Sequence, residues 1–186
     1  MTGEGPLLSI DALEHFVGEA ERASSTVHEV PDWEGVVTHL AERAGTGRVA
    51  VSPSLAAEGA GLTDALVARS IRVLVPGDDD PPHTVADVEV GVVRGVLAVA
   101  ESGSVLVTEH ALADRLVSML CRRLVQVVDR DAVVPRLEDA AQWLAARGGQ
   151  AGFASLLTGP SRTADIERSL TIGVQGPDAV DVVVIG

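Results

Sequence analysis

The sequence predicts a three-layer α/β/α sandwich, with helices on both faces of a mostly parallel sheet. Three observations carry this. Short β-branched runs alternate with stretches whose apolar residues recur at helical spacing, and strand–helix–strand alternation demands parallel pairing. The run from Leu124 to Val128 is apolar almost throughout, as a strand covered on both faces is. The 186 residues, 46% of them hydrophobic, suffice for one core burying about two thirds of the unfolded surface. One domain over 1–186 is therefore expected.

Each element follows from local pattern. Asp11 with Glu14 three residues on suggests a capping arrangement for a first helix, whose Leu13, Phe16, Val17 and Ala20 share one face. Val27 to Val30 reads as a strand. Pro31-Asp32 ends it and starts a helix carrying Trp33, Val36, Val37, Leu40, Ala41 and Ala44, which Gly45 stops. Arg48 to Val51 and Arg72 to Val75 are β-branched runs with a helix from Leu62 to Ser70 between them. Gly77 to His83 is a charge run. Consecutive side chains diverge whereas calcium loops alternate their ligands, so it reads as a solvated turn. Val85 to Val93 mixes apolar and polar residues, and strands at Leu97–Ala100 and Val105–Val107 flank the turn Glu101 to Ser104. Leu112, Leu116, Met119 and Leu120 form a helical core stripe, and Cys121 reads as a core residue. After the strand Leu124–Val128, a turn from Asp131 to Pro135 leads into a helix with Leu137, Ala140, Ala141, Leu144 and Ala145 inward, capped by Gly148-Gly149. Val180 to Ile185 closes the sheet.

Bulk chemistry excludes several functions. A net charge of −13 and a pI near 4.6 repel phosphate backbones, and no basic stripe with interleaved aromatics offsets this, so nucleic acid is not expected as a partner. Arginine supplies all 14 cationic side chains. A single cysteine rules out an internal disulfide, a thiolate zinc site and a self-contained iron–sulfur cluster, and fits a reducing cytosol. The five histidines His15, His28, His39, His83 and His110 show no metal-ligand spacing, so no metal is expected. Gly91-Val92-Val93-Arg94-Gly95 lacks the dinucleotide spacing, and no flavin, nicotinamide or other cofactor is expected. Neither a leader-like N-terminus nor an apolar run of about 18 residues is present, so the chain is expected to be cytoplasmic, unprocessed and away from membranes.

The chemistry-bearing stretch is 156–177, LLTGPSRTADIERSLTIGVQGP. The apolar run Phe153 to Leu157 empties into Thr158-Gly159-Pro160, then into Ser161, Arg162, Thr163 and Asp165. It reads as a buried strand ending in a polar loop at its carboxyl end, where open α/β sheets place ligands. Ser161 and Thr163 are candidate N-caps whose neighbouring N–H groups would cradle an anion. TGPSRT equally reads as an ordinary capped turn. Arg162 offers a bidentate fork for a carboxylate or phosphate, or a partner for Asp165. Glu101 before Ser102-Gly103-Ser104 is a candidate nucleophile or base, or a surface cap. His110 follows the Ser104–Glu109 strand as a loop histidine.

TGPSRTADIE followed by GVQGP resembles the signature of the LUD-domain family, the lactate utilization protein C group. Members carry Thr-Gly-Pro-Ser-basic-Thr-Ala-Asp-Ile and then Gly-Val-His-Gly-Pro. Here Gln175, before Gly176, stands where histidine is usual. A third block, Ala-acid-Thr-Gly-Thr before an apolar strand, appears as Ala100-Glu101-Ser102-Gly103-Ser104, with serines for both threonines. The likeness is strong over 85–186 and vague before it. It implies the fold shared by ribose-phosphate isomerase, glucosamine-phosphate deaminase, coenzyme A transferases and formyltetrahydrofolate cyclo-ligase. In the related transferases, a glutamate near a comparable turn carries the acyl group, the position Glu101 loosely matches.

Two functions follow. By resemblance, the chain is a non-redox component of a system oxidising L-lactate to pyruvate, acting with iron–sulfur subunits and binding a small anionic metabolite through Ser102, Gly103, Ser104, Thr158, Gly159, Ser161, Arg162, Thr163, Asp165, Gln175 and Gly176. The alternative is a stand-alone enzyme acting on a phosphorylated or coenzyme A-linked metabolite, with Glu101 as its catalytic group. The loop from Thr158 to Asp165 and the turn from Glu101 to Ser104 are expected to converge at one end of the sheet.

Overall fold

The computed structural model describes residues 8–58, 61–148, 152–164, 170–172 and 176–186, with side chains at all of these except 8–11, 162–164 and 170–172. Helix α1 (Leu8–Arg22) leads into β1 (Ser25–Val30), α2 (Trp33–Ala44) and β2 (Arg48–Val51). Two short helices, α3 (Pro53–Ala57) and α4 (Leu62–Ala68), precede β3 (Arg72–Leu74), and α5 (His83–Ala86) precedes β4 (Val90–Val99). Then come β5 (Ser104–Glu109), α6 (Leu112–Leu120), β6 (Arg123–Asp129), β7 (Val133–Val134) and α7 (Leu137–Ala146). Strands β8 (Phe153–Leu157), β9 (Arg162–Ala164), β10 (Leu170–Ile172) and β11 (Ala179–Ile185) complete the order.

Nine strands form one mixed sheet whose parallel part runs β1-β11-β6-β4-β2-β3. Strand β4 holds it together by outrunning its neighbours. Its first half, Val90 to Arg94, pairs with β6, while Gly95 to Val99 pairs antiparallel with β5, which in turn carries β8. The β9–β10 hairpin stands outside this sheet. Helices cover both faces. Leu13 and Phe16 of α1 pack with Leu116 and Val117 of α6 on one side; Val36 and Leu40 of α2, Leu55 of α3 and Leu66 of α4 pack on the other. A third cluster seats Ala140, Trp143 and Leu144 of α7 on Leu97, Val99 and Leu106 of the β4–β5 extension.

The caps of α2 are as its sequence predicts. Asp32 accepts a hydrogen bond from Gly35 N at 3.0 Å, and Gly45, at φ 55°, donates its N–H to Ala41 O at 3.0 Å. Asp32→Ala should cost about 1 kcal/mol in urea unfolding. A loss too small to measure would show the cap to be idle.

Several local expectations are corrected. Asp11 lies inside α1, which already begins at Leu8, so it does not open the helix. Val85 to Val93 resolves into α5 and the start of β4. Glycine tolerates the middle of β4 because neighbours occupy its place: a Cβ at Gly91 would meet Cys121 Sγ, and one at Gly95 would meet Val105 Cγ1. In α6 the core face is Ala113, Leu116 and Val117, while Leu112 and Met119 are exposed. In α7 Ala140 is buried and Trp143 half-buried, while Leu137, Ala141 and Ala145 face solvent. Strand β8 is not buried, since Phe153 and Leu156 are exposed. Thr163 sits in strand β9, which removes it as a helix N-cap.

Candidate functional site

The turn between β4 and β5 and the loop after β8 meet, and register is the reason. Val99 pairs with Ser104 across the β4–β5 hairpin, and Val105 pairs with Leu157 of β8. Ser104 and Thr158 are thereby brought side by side. Their hydroxyls lie 2.5 Å apart, and Ser102 Oγ is 2.8 Å from Ser104 Oγ, so three hydroxyls form one hydrogen-bonded chain beyond the carboxyl end of β4. Hydroxyls in series can each donate and accept, so the chain presents a donor or an acceptor at its end as a ligand requires.

Two glycines bring this chain against α1. Gly103 at φ 62° and Gly159 at φ 66° adopt left-handed backbone, which glycine takes without steric cost. A Cβ at Gly103 would overlap the backbone of Glu19 and Ala20, and one at Gly159 would overlap Ala23 O. The carboxyl end of α1 therefore rests directly on both turns. The Gly176-Pro177 end of the second signature block joins through the backbone: Ser161 N donates to Pro177 O at 3.1 Å, and Gly176 packs against Ser161. Arg162 and Thr163 follow in β9, where Arg162 pairs with Ile172 and Thr163 with Thr171 of β10. Asp165 and Gln175 lie outside the described residues.

Glu101 is exposed and points elsewhere. Its Oε2 accepts from Leu137 N at 2.9 Å, satisfying an N–H in the first turn of α7. His110 is also exposed, at the far end of β5 from Ser104.

The cluster that spacing did not reveal lies on β11. Asp181, fully buried, receives Arg43 Nε at 2.7 Å and His39 Nε2 at 3.0 Å on one oxygen, and Arg123 Nη1 at 2.6 Å on the other. Arg43 also reaches His28 Nε2 at 3.1 Å, and the rings of His28 and His39 lie 4.4 Å apart. The ligand atoms of His28, His39 and Asp181 fall within 4.8 Å of one another, as metal ligands would. Yet both carboxylate oxygens already face guanidinium groups, whose charge opposes a cation, so the cluster is a paired polar network. Burial alone would push the Asp181 carboxyl up, but the His39 hydrogen bond and the Arg123 and Arg43 charges bring it below the usual range. Burial, then His39, pulls His28 down. The signal in the sequence is one acid inside the apolar run Val180 to Ile185.

Comparison with known proteins agrees with this architecture. A solved DUF162 family protein from Deinococcus radiodurans superposes with a TM-score of 0.74 at 18% identity, covering 97% of this chain and 100% of its own, which shows the shared fold. Lactate utilization protein C of Macrococcus caseolyticus is 36% identical over 100 residues, 52% of this chain and 43% of that protein. Lactate utilization protein C of Shouchella clausii is 34% identical over 92 residues, 48% of this chain and 40% of its own length. The chain thus matches less than half the length of these relatives. The model of the LUD domain matches residues 13–185. That span runs from within α1 to the end of β11 and takes in all three signature blocks, so the chain belongs to the LUD-domain family.

Proposed function

We propose that the chain works as one LUD unit, a non-redox component of a system that oxidises L-lactate to pyruvate, and holds a small anionic metabolite where the signature blocks meet. Likeness to relatives named lactate utilization protein C over about half the chain carries the role. The Ser102–Ser104–Thr158 hydroxyl chain, beside the strand that supplies Arg162, supports the site. Electron transfer is left to iron–sulfur subunits. The one thiol, Cys121, is buried in the core, and burial pushes its pKa up to about 12, so it is not a thiolate at neutral pH. A stand-alone enzyme built on Glu101 would have to spend the carboxylate that caps α7.

A thermal-shift panel of L-lactate, pyruvate, coenzyme A, ATP and sugar phosphates tests the binding. A ligand at 100 times its dissociation constant raises stability by about 2.7 kcal/mol. In so acidic a chain the anion needs a local cation, and Arg162 is the one the signature supplies. Arg162→Ala should weaken the best ligand of the panel about tenfold to a hundredfold in calorimetric titration. Unchanged affinity with a lowered melting temperature would make Arg162 a structural residue instead.

A further inference from the structure

The order of the sheet reverses between β2 and β4. From β2 the chain crosses through α3 and α4 to β3 on one side, whereas from β4 it crosses through α6 to β6 on the other. The helices lie on opposite faces, so a crevice opens past the carboxyl end of β2, beside the middle of β4 where its parallel pairing stops at Arg94, and open α/β sheets bind ligands at such a reversal of strand order. A cavity of about 50 Å³ lies there, lined among others by Ser52, Arg94, Thr108, Glu109, His110 and Asp114.

The polar groups around it are unevenly satisfied. Asp114 accepts from Ser54 N at 2.9 Å, Ser54 Oγ at 2.6 Å, Ala111 N at 3.1 Å and His110 N at 3.2 Å. Glu109 accepts from the hydroxyls of Ser118 and Ser155. Arg94 donates through Nη2 to Asp129, holds Nε 3.8 Å from Glu58 and lies 5.5 Å from the centroid of the Trp33 ring. Its Nη1 is buried without a partner. An unpaired buried guanidinium N–H costs more than an unpaired neutral donor, and native proteins rarely keep one. Nor do the side chains of Ser52, Thr108 and His110 make a hydrogen bond among the described residues. The unused capacity of the cavity is therefore mainly for donating. Its acids, Glu58, Glu109 and Asp114, with Asp129 behind them on Arg94, oppose a doubly charged ligand more than a singly charged one.

We propose that this cavity is a second ligand site, taking the carboxylate of a small monoanionic acid on Arg94 Nη1, with the Ser52 and Thr108 hydroxyls as flanking donors. It is separate from the signature blocks. Ser104 opens β5 and Thr108 stands near its other end, about 13 Å away at the rise of a strand. It also stands independently of the lactate reading, since it rests on the sheet order and the orphaned guanidinium.

The test is calorimetric titration of pyruvate, acetate and inorganic phosphate into the full chain and its variants. Pyruvate and acetate should bind the wild type, and phosphate should bind at least tenfold more weakly. Arg94→Gln should weaken pyruvate at least tenfold. Because that variant also loses the Asp129 pair, Ser52→Ala combined with Thr108→Val gives a second reading, expected to weaken pyruvate at least threefold with the ion pairs intact. Arg162→Ala should remove at most a second, separate pyruvate event at the signature blocks and leave in place the event that Arg94→Gln weakens. Wild-type affinity in both cavity variants, or no binding of either acid to the wild type, would overturn the proposal. Loss of pyruvate in Arg162→Ala alone would also overturn it and leave the signature-block reading standing. Phosphate binding as tightly as pyruvate would overturn the preference for a monoanion.

Discussion

Gly103→Ala is expected to destabilise the fold by about 3 kcal/mol, roughly 1 from placing a Cβ at positive φ and roughly 2 from overpacking. Gly103 sits at φ 62°, and its absent Cβ is the space in which the main chain of Glu19 and Ala20 lies. Neither neighbour can rotate away, because both are backbone near the end of α1. Gly61 is the control. It has φ 62° and ψ 13° with open space where a Cβ would stand, so Gly61→Ala should lose only the strain, about 1 kcal/mol. Urea unfolding of the two variants measures the difference. Equal losses would show that α1 does not rest on the Ser102–Ser104 turn.

Asp181→Ala should cost about 3 kcal/mol, the low end for breaking a buried pair, because Arg43 and Arg123 keep about a third of their side-chain surface in water. The substitution leaves two guanidinium groups and His39 around an empty acceptor. In a domain of this size that lowers the melting temperature by about 10 °C. The dependence on pH has a definite sign. The folded Asp181 carboxyl titrates below its unfolded value of about 3.9, so its stabilisation is complete above that pH and fades as pH falls through the folded value. His28 is also held below its unfolded value of about 6.5, so acid costs stability there first, below that pH. Asp181→Ala should therefore flatten the steepest acid limb of the wild-type curve, near and below pH 4. An unchanged limb would mean that the network contributes nothing to acid unfolding.

Much of the sheet was legible because its strands and helices state their periods plainly. Helix α2 has both its caps and its buried face in the letters Asp32 to Gly45, and β6 and β11 read as apolar runs. What stayed hidden depends on neighbours distant in sequence. Gly91 and Gly95 look like breaks in a strand until Cys121 and Val105 are seen filling the places of their side chains. Asp181 looks like a flaw in an apolar run until Arg43, His39 and Arg123 close around it. At the candidate site, the signature letters pointed to Ser104 and Thr158, and register alone brings their hydroxyls together. Thr163 misled because a hydroxyl after Gly-Pro suits a helix start, whereas pairing with Thr171 makes it part of a hairpin. Arg94 carried no local motif. Its environment comes from Asp129, Glu58 and Trp33, on three other parts of the chain.

The most direct test of the proposed role is reconstitution. L-lactate-dependent reduction of an artificial electron acceptor is measured with the two iron–sulfur proteins of a lactate-utilisation system, with and without this chain. The account predicts that the chain alone reduces nothing, that the rate of the iron–sulfur pair rises when the chain is added, and that Arg162→Ala restores less of that rise than the wild type does. An identical rate with and without the chain, or lactate oxidation by the chain alone, would contradict it.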